Sequence, residues 1–294
     1  MKVEAGSVLA ILGAINVDLV VSGAPLPRAG ETVTGGVFGQ HQGGKGGNQA
    51  VAASRALGRM RERVWMLGAV GDDHLGVAAL EALRRDGVQT DLVLVAPDSG
   101  TGVALIAVGP DGENQISVAP GANSALEPAN VVEALERLQP YVLLASLEVP
   151  ERTVRAALEW SRDHTVPTVL NPAPPHPWAR ELVALATYVT PNEHERQALG
   201  DIPSGVVVIE TRGAAGAVID REDARTDFPA PTVDVVDTTG AGDCFNGVLA
   251  ARLTEGRDLL DAVRDGVVAA TLSVQVPGAR DGMPDGDAIR NASR

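Results

Sequence analysis

The chain has 294 residues, 45% of them hydrophobic, which is enough for one large core or two modest ones. Its net charge of −14 argues against a nucleic-acid-binding protein, because such proteins draw affinity from basic surface. No run of about 18 apolar residues suggests a membrane span. The apolar segment 8–13 is too short for a signal peptide. A single cysteine, Cys244, excludes an intramolecular disulfide and fits a reducing compartment, so we expect a cytoplasmic protein.

Short apolar segments alternate with helical patterns along most of the chain. Strands are predicted over 8–13, 64–69, 141–147, 166–170, 188–190 and 206–210. Helices are predicted over 48–57, 74–85, 128–138, 151–162 and 180–185. This alternation predicts an α/β fold with a mainly parallel sheet flanked by helices.

Two stretches, about 16–40 and 90–120, break this rhythm. They combine strand-like alternation with turn signals such as PLPRAGE and PDGEN, and they show little helical periodicity. We expect them to form a small antiparallel β-sheet that projects from the main body as a lid. No internal repeat or linker interrupts the chain, so we expect a single domain over residues 1–294.

The segment FGQHQGGKGGNQA nearly matches a phosphate-binding P-loop. It supplies the glycine and lysine of G-x-x-x-x-G-K through Gly44 and Lys45. Gly46, however, stands where a P-loop has the Ser or Thr that ligates magnesium. Of the 24 basic residues only Lys2 and Lys45 are lysines, which suggests that the loop needs a compact ammonium group.

Two segments near the amino terminus carry candidate ligand-binding side chains. Lys45 and Asn48 are three residues apart where a helix opens, so both can face one pocket. The alternative is a glycine turn with a solvated lysine. Asn16 and Asp18 follow the first strand, at the sheet edge where α/β proteins bind ligands, and suit hydroxyl recognition. The alternative for them is a structural Asx turn.

The segment DTTGAGDCFNG is the strongest chemical signal. Gly240, Ala241 and Gly242 lead directly into a helix, so their N–H groups and the helix dipole predict an anion cradle. Asp243 sits in that cradle, where it could take a proton from an attacking hydroxyl. An N-cap role for Asp243 is the alternative. Cys244 is interpreted as a packing residue.

Two further loops offer contacts to a nucleotide. In TPNEHE, Asn192 and Glu195 are one helical turn apart and can meet one ligand, such as a magnesium-bound phosphate. A helix start with surface carboxylates is the alternative. TRGAAG, residues 211–216, ends a strand with glycines and offers a second loop that phosphate can approach.

Together these motifs resemble the ribokinase family of carbohydrate kinases over essentially the whole chain. The matching spellings, in order, are GAINVD, GETVTG, GGKGGNQAVAA, GDDHLG, TGVALI, GENQISVAPGAN, NPAP, TPNEHE and DTTGAGDCFNG. The resemblance implies a doubly wound α/β domain whose β-sheet lid commonly forms a homodimer interface. It also implies phosphoryl transfer from ATP to O5 of ribose.

The resemblance assigns roles to individual residues. Asp243 would be the general base, with an anion hole at Gly240, Ala241 and Gly242. The sugar would contact Asn16, Asp18, Gly44, Lys45, Asn48, Glu148 and Asp243. ATP would lie along Asn192, Thr211, Gly213, Gly216 and Gly242, with Glu195 acting on hydrated Mg²⁺. An activating K⁺ would be held by Asp237, Thr239, Ser273, Val276 and Gly278.

Three departures from the family pattern stand out. Gly282 replaces a common hydroxyl residue near the K⁺ site, and Val267 replaces a His or Asn near adenine. Segment 199–205 is too short for the helix that the family usually inserts there, which puts nucleotide affinity in doubt. The main alternative is a kinase for another small sugar or a nucleoside. Its apolar base pocket would call for aromatic residues in the lid, where the sequence has just Phe38.

Overall fold

The computed structural model describes residues 8–221 and 224–293, so Lys2 lies outside the described residues. The strands, in chain order, are β1 (Leu9–Leu12), β2 (Asn16–Ser22), β3 (Val37–Gly43), β4 (Val64–Leu67), β5 (Ala69–Gly71), β6 (Leu94–Ala96), β7 (Gly102–Val108), β8 (Asn114–Ala119), β9 (Val142–Ser146), β10 (Thr168–Asn171), β11 (Tyr188–Val189), β12 (Val207–Thr211), β13 (Ala217–Arg221) and β14 (Ala224–Phe228). The α-helices are α1 (Lys45–Leu57), α2 (His74–Arg85), α3 (Pro128–Leu138), α4 (Glu151–Asp163), α5 (Ala179–Val183), α6 (Glu193–Leu199), α7 (Ala241–Thr254), α8 (Leu259–Ser273) and α9 (Gly286–Ala292).

An eight-stranded sheet forms the centre of the fold, in the order β14-β13-β12-β11-β10-β9-β1-β4. The six strands from β4 to β12 run parallel, and β13 and β14 add an antiparallel edge. The predicted mainly parallel α/β sheet is therefore confirmed. Its central strands β1 and β9 are buried at every position because helices cover both faces.

Two apolar clusters lie on opposite faces of this sheet. Leu9 and Ile11 of β1 join the cluster that packs against α1, α7 and α8. Ala10 and Leu12 join the cluster that packs against α3, α4 and α5. This division follows from the two-residue alternation of strand side chains. Among the described residues, no helix combines the length and the apolar character needed to cross a membrane.

A separate four-stranded sheet has the order β3-β2-β7-β8. Its outer pairs β2–β3 and β7–β8 are antiparallel, as expected, but the central pair β2–β7 is parallel. These two strands come from distant parts of the chain, and the intervening α/β segment acts as the crossover that a parallel pair needs. The predicted stretch 90–120 contributes to this sheet only from Gly102, because β6 pairs with β5 instead.

Several elements differ from the sequence prediction. Helix α1 begins at Lys45 rather than at residue 48, so the glycines around Lys45 form its first turn. The hairpin β13–β14 and the helices α8 and α9 were not predicted as elements. Segment 200–206 forms no helix, in agreement with the predicted loss of one. Ile202 and Val206 of this segment pack against the apolar cluster that contains Ala10 and Leu12.

Candidate active site

The candidate residues gather at the carboxyl ends of the parallel strands. Asn16 follows β1, Glu148 follows β9, and Asn192 follows β11. The carboxyl edge of a parallel sheet is where open α/β folds bind ligands, because the chain changes direction there and leaves a crevice. Helices α1 and α7 both begin at this edge and bring the remaining polar groups to it.

The approach of α7 to α1 places the candidate base. A Cβ on Gly247 of α7 would lie 2.4 Å from the main-chain oxygen of Gln49 and 2.7 Å from the Cβ of Ala52. Only glycine permits so close a contact between the two helices. As a result, the first turns of both helices lie side by side with Asp243 between them.

Asp243 is a buried carboxylate held by two side-chain amides of α1. Asn48 Nδ2 donates to its Oδ2 at 3.0 Å, and Gln49 Nε2 donates to its Oδ1 at 3.1 Å. Gln49 also donates to Asn171 Oδ1 at 3.0 Å, which ties the amide to the end of β10. The N-cap of α7 is Gly240, in a left-handed conformation, so the alternative N-cap role for Asp243 is wrong.

The first turn of α1 is closed by protein groups. Glu148 Oε2 accepts a hydrogen bond of 2.8 Å from the N–H of Lys45, and the carbonyl of Ala14 accepts from Gly47 at 3.1 Å. A carboxylate at a helix N-terminus also interacts favourably with the helix dipole. The N–H groups of Lys45 and Gly47 are therefore already bonded to protein and are not free to bind a phosphate.

Gly46 fills a position that has no room for a side chain. A Cβ there would lie 2.6 Å from the carbonyl carbon of Gly13 and 2.6 Å from Met66 Cε. The backbone of α1 thus rests directly on the turn that follows β1. A Ser or Thr at this position, as in a P-loop, would force the helix away from the sheet.

Lys45 lies among carboxylates at the floor of the site. The negative charge of Asp243 raises the pKa of the Lys45 ammonium, burial opposes this, and Glu148 and Glu195 add to the rise. Burial raises the pKa of Glu148, and the nearby Lys45 partly offsets that effect. Lys45 therefore stays charged and balances the buried carboxylates.

Asn16 and Asp18 are two residues apart in β2, so they lie on the same face of the strand, at the same crevice. Asn16 Oδ1 accepts from Asn123 Nδ2 at 2.8 Å, and Asn123 also bonds to the main chain of Ile15. The Asp18 carboxylate covers Gly43, where a Cβ would lie 2.3 Å from Asp18 Oδ1. Their side chains are thus held by tertiary contacts, and not by a local Asx turn.

A cavity of about 330 Å³ begins beside the first turn of α7. Four of the predicted nucleotide residues line it: Thr211, Gly213, Gly216 and Gly242. Ala241 of the predicted anion hole lines it as well. Val267 and Phe245 form part of its apolar wall. Gly216 must be glycine, because its φ is +87° and a Cβ would lie 1.9 Å from the carbonyl oxygen of Phe228.

In the predicted anion-hole turn, the N–H of Ala241 is bonded to protein, whereas Gly242 faces open space. Ala241 donates its N–H to the carbonyl of Thr238 at 3.2 Å. A Cβ added to Gly242 would meet nothing within 4 Å. Unlike α1, helix α7 therefore begins against open space, and this space belongs to the cavity lined by Thr211 and Gly216.

Asn192 and Glu195 form a reciprocal capping box at the start of α6. Asn192 Oδ1 accepts from the N–H of Glu195 at 2.8 Å, and Glu195 Oε2 accepts from the N–H of Asn192 at 2.9 Å. The alternative of a helix start is thus confirmed, although Glu195 is buried and not a surface carboxylate. Asn192 also pairs with Thr211, which places α6 beside the cavity.

The residues predicted to hold K⁺ lie in two segments, 237–239 before α7 and 273–278 at the end of α8, which hydrogen-bond to each other. Asp237 accepts from the N–H of Thr239 at 2.9 Å and from the N–H of Gly278 at 2.8 Å. Burial opposes ionisation of Asp237, but these hydrogen bonds outweigh it and lower its pKa. A Cβ on Gly282 would lie 2.2 Å from the oxygen of Ser273, so the hydroxyl residue common in the family does not fit this loop conformation.

Four residues around the site were missed by the sequence reasoning. Gln49 and Asn123 stand within quoted motifs, GGKGGNQA and GENQISVAPGAN, and could have been singled out there. His176 and Trp178 stack at 4.7 Å in a second cavity, of about 430 Å³, which Asn16 and Glu148 also line. No pattern near them in the sequence indicates this position.

Comparisons with known proteins identify the family of this chain. The family model described as pfkB family carbohydrate kinase matches residues 8–286. A ribokinase of Bacillus subtilis is 40% identical over 287 residues, covering 94% of this chain and 96% of the relative.

Solved structures give the same result. The crystal structure of a ribokinase from Thermotoga maritima superposes with a TM-score of 0.87 at 29% identity, covering 97% of this chain and 98% of that one. An Arabidopsis thaliana ribokinase complexed with ribose and ATP superposes with a TM-score of 0.86 at 26% identity, covering 98% and 99%. The chain belongs to the pfkB family of carbohydrate kinases, and it is accordingly a sugar kinase, a phosphotransferase.

Proposed function

We propose that the protein is a ribokinase that transfers the γ-phosphoryl group of ATP to O5 of ribose. One observation carries this proposal: the buried Asp243 carboxylate lies between a polar crevice and a helix N-terminus that opens on a separate cavity. Phosphoryl transfer needs such a junction, because the attacking hydroxyl and the phosphate must meet in line.

In this proposal the sugar occupies the crevice at the carboxyl end of β1. Its hydroxyls bond to the polar groups of this crevice: Asn16, Asp18, Gly44, Lys45, Asn48 and Glu148. Carboxylates accept from the hydroxyls, and the Lys45 ammonium donates to them. O5 then points toward Asp243, which removes its proton as attack on the phosphorus begins.

The nucleotide lies in the cavity along Thr211, Gly213 and Gly216. The N–H groups of Gly240, Gly242 and Asp243 at the first turn of α7 donate to the transferring phosphoryl group, and the helix dipole favours its negative charge. The N–H of Ala241 stays bonded to the carbonyl of Thr238. Asn192 lies beside Thr211 and contacts the same nucleotide. Val267 offers the base an apolar surface in place of a hydrogen bond.

Magnesium would enter with the ATP phosphates. Among the described residues, no group of three or more His, Cys, Asp or Glu side chains could hold a metal on its own. Mg²⁺ usually keeps several waters and binds through substrate phosphates and one or two carboxylates. We assign Glu195, which is buried and accepts a hydrogen bond from the N–H of Asn192, as the carboxylate that would orient that hydrated ion.

The loop around Asp237 fits a potassium ion. Ser273 is the last residue of α8, where carbonyl groups lack helical partners and the helix dipole favours a cation. Within the described part of the chain, its main-chain oxygen accepts one long bond of 3.5 Å, from the N–H of Val276. Thr239, Val276 and Gly278 complete the proposed ligands. A bound ion would hold this loop against the first turn of α7.

The proposal extends to assembly and compartment. Apolar side chains are exposed on the small sheet, including Phe38 at 64%, Ile116 at 56% and Val118 at 56%. A second copy packed on this sheet would bury them and form a homodimer that also closes the sugar crevice. The single buried cysteine, Cys244, fits a cytoplasmic enzyme, where ATP is available.

A nucleoside kinase is the second candidate function. The stacked rings of His176 and Trp178 lie in the same cavity as Asn16 and Glu148, and such rings could support a base attached to the sugar. These rings lie outside the two lid stretches, in which the sequence has just Phe38, because they belong to the segment before α5.

Replacing Asp243 by Asn should remove the general base while keeping the size of the side chain. We expect kcat to fall by about 10² to 10⁴-fold, with ribose binding retained. Steady-state kinetics and calorimetry of ribose binding measure the two effects. The control is Asp258→Asn, an N-cap of α8 that Asn can also serve. Undiminished turnover in Asp243→Asn would eliminate the assigned base.

A panel of pentoses, hexoses and nucleosides, assayed by ATP consumption, distinguishes the two candidate functions. We expect ribose to give the highest kcat/KM and Trp178→Ala to leave that value within about threefold, since a bare pentose does not reach the rings. A nucleoside that exceeds ribose, and loses this advantage in Trp178→Ala, would favour the second candidate.

Potassium should raise turnover several-fold over lithium at equal ionic strength, because a bound ion would order the loop beside α7. Asp237→Ala should remove the difference between the two cations and leave the affinity for ribose unchanged. Turnover that is equal in both salts would show that the loop holds no activating ion.

A further inference from the structure

Arg280 is a buried cation to which no sequence motif assigned a role. It stands in the loop between α8 and α9, and only 7% of the residue is exposed. Its main chain is held by Arg55, whose Nη1 donates to the Arg280 carbonyl at 2.6 Å. Arg55 is held in turn by Asp86, to which its Nε donates at 2.9 Å. The guanidinium therefore extends toward α1 from a loop whose main chain is fixed by Arg55.

Two of its nitrogens contact the sugar side of the site. Nε donates to Asn48 Oδ1 at 2.8 Å, and Nη2 donates to the carbonyl of Gly43 at 2.9 Å. The guanidinium lies on the first turn of α1, where a Cβ on Gly47 would be 2.4 Å from Nη2. Arg280 thus joins the end of β3 to the helix that carries Lys45 and Asn48.

The contact with Asn48 determines which end of its amide faces the base. A side-chain amide has one acceptor oxygen and one donor nitrogen. With Oδ1 held by Arg280, Nδ2 points to Asp243 and donates at 3.0 Å. The reversed amide would place its oxygen against the Asp243 carboxylate and its NH₂ group against the guanidinium, and both contacts are repulsive.

These contacts leave part of the Arg280 guanidinium unsatisfied. Its third nitrogen, Nη1, is buried without a hydrogen-bond partner among the residues that the structure describes. Burying a cation is costly, and an unsatisfied donor adds to that cost. Burial lowers the pKa of Arg280 to about 10, so it remains charged at neutral pH, with Asp86, Asp18 and Asp243 as the carboxylates that favour its charge.

We propose that Arg280 is a positioning residue for phosphoryl transfer: it holds the Asn48 amide so that its NH₂ group is directed at Asp243 and at the reacting hydroxyl. This inference rests on the proposed function, because it assigns Asp243 the role of base. Arg280 acts through Asn48 and does not itself touch the sugar.

A double-mutant cycle with Asn48 separates positioning from general structural support. We expect Arg280→Met to lower kcat by about 10 to 100-fold and to raise KM less, because the amide can then rotate away. In an Asn48→Ala background the same change should alter kcat by less than about twofold, since no amide remains to be oriented. Arg280→Lys, which can still donate to Oδ1, should recover part of the loss.

Arg252→Met is the matched control, because Arg252 is also buried and paired, with Asp265 at 2.7 Å, but lies at the far end of α7. It should lower Tm and leave kcat of the folded enzyme unchanged in both backgrounds. Equal losses from Arg280→Met with and without Asn48 would overturn the inference. A wild-type protein that phosphorylates no sugar would instead refute the proposed function, so the two failures are distinguishable.

Discussion

The contact between α1 and α7 at Gly247 is the constraint on which the site depends. Because no side chain separates the helices there, Asn48 and Gln49 reach the carboxylate of Asp243 directly. Close packing in the core thereby fixes the position of Asp243, the proposed base. A larger residue at position 247 would separate the helices and also the groups that must act together.

The two helices begin at the same edge of the sheet but present different surfaces. The N-terminus of α1 is closed by Glu148 and Ala14, and Lys45 beside it is surrounded by carboxylates. The N-terminus of α7 opens on a cavity at Gly242. In a chain with a net charge of −14, the proposed function requires phosphate to be attracted locally, by N–H groups and magnesium rather than by the overall field.

The sequence predicted the parts of this arrangement that follow from local pattern. Buried parallel strands such as β1 are continuous apolar runs, and the glycines before Asp243 signal a helix N-terminus that can accept an anion. Relations between distant segments could not be predicted in this way. The parallel pairing of β2 with β7, the orientation of Asn48 by Arg280, and the aromatic stack at Trp178 each join residues far apart in sequence.

A crystal structure of the protein with ribose and a non-hydrolysable ATP analogue tests most directly the assignment of the two helix N-termini to two ligands. We predict O5 of ribose within hydrogen-bond distance of the Asp243 carboxylate and the γ-phosphate at the first turn of α7. Phosphates bound at Lys45, or a sugar in the cavity along Gly213 and Gly216, would contradict that assignment.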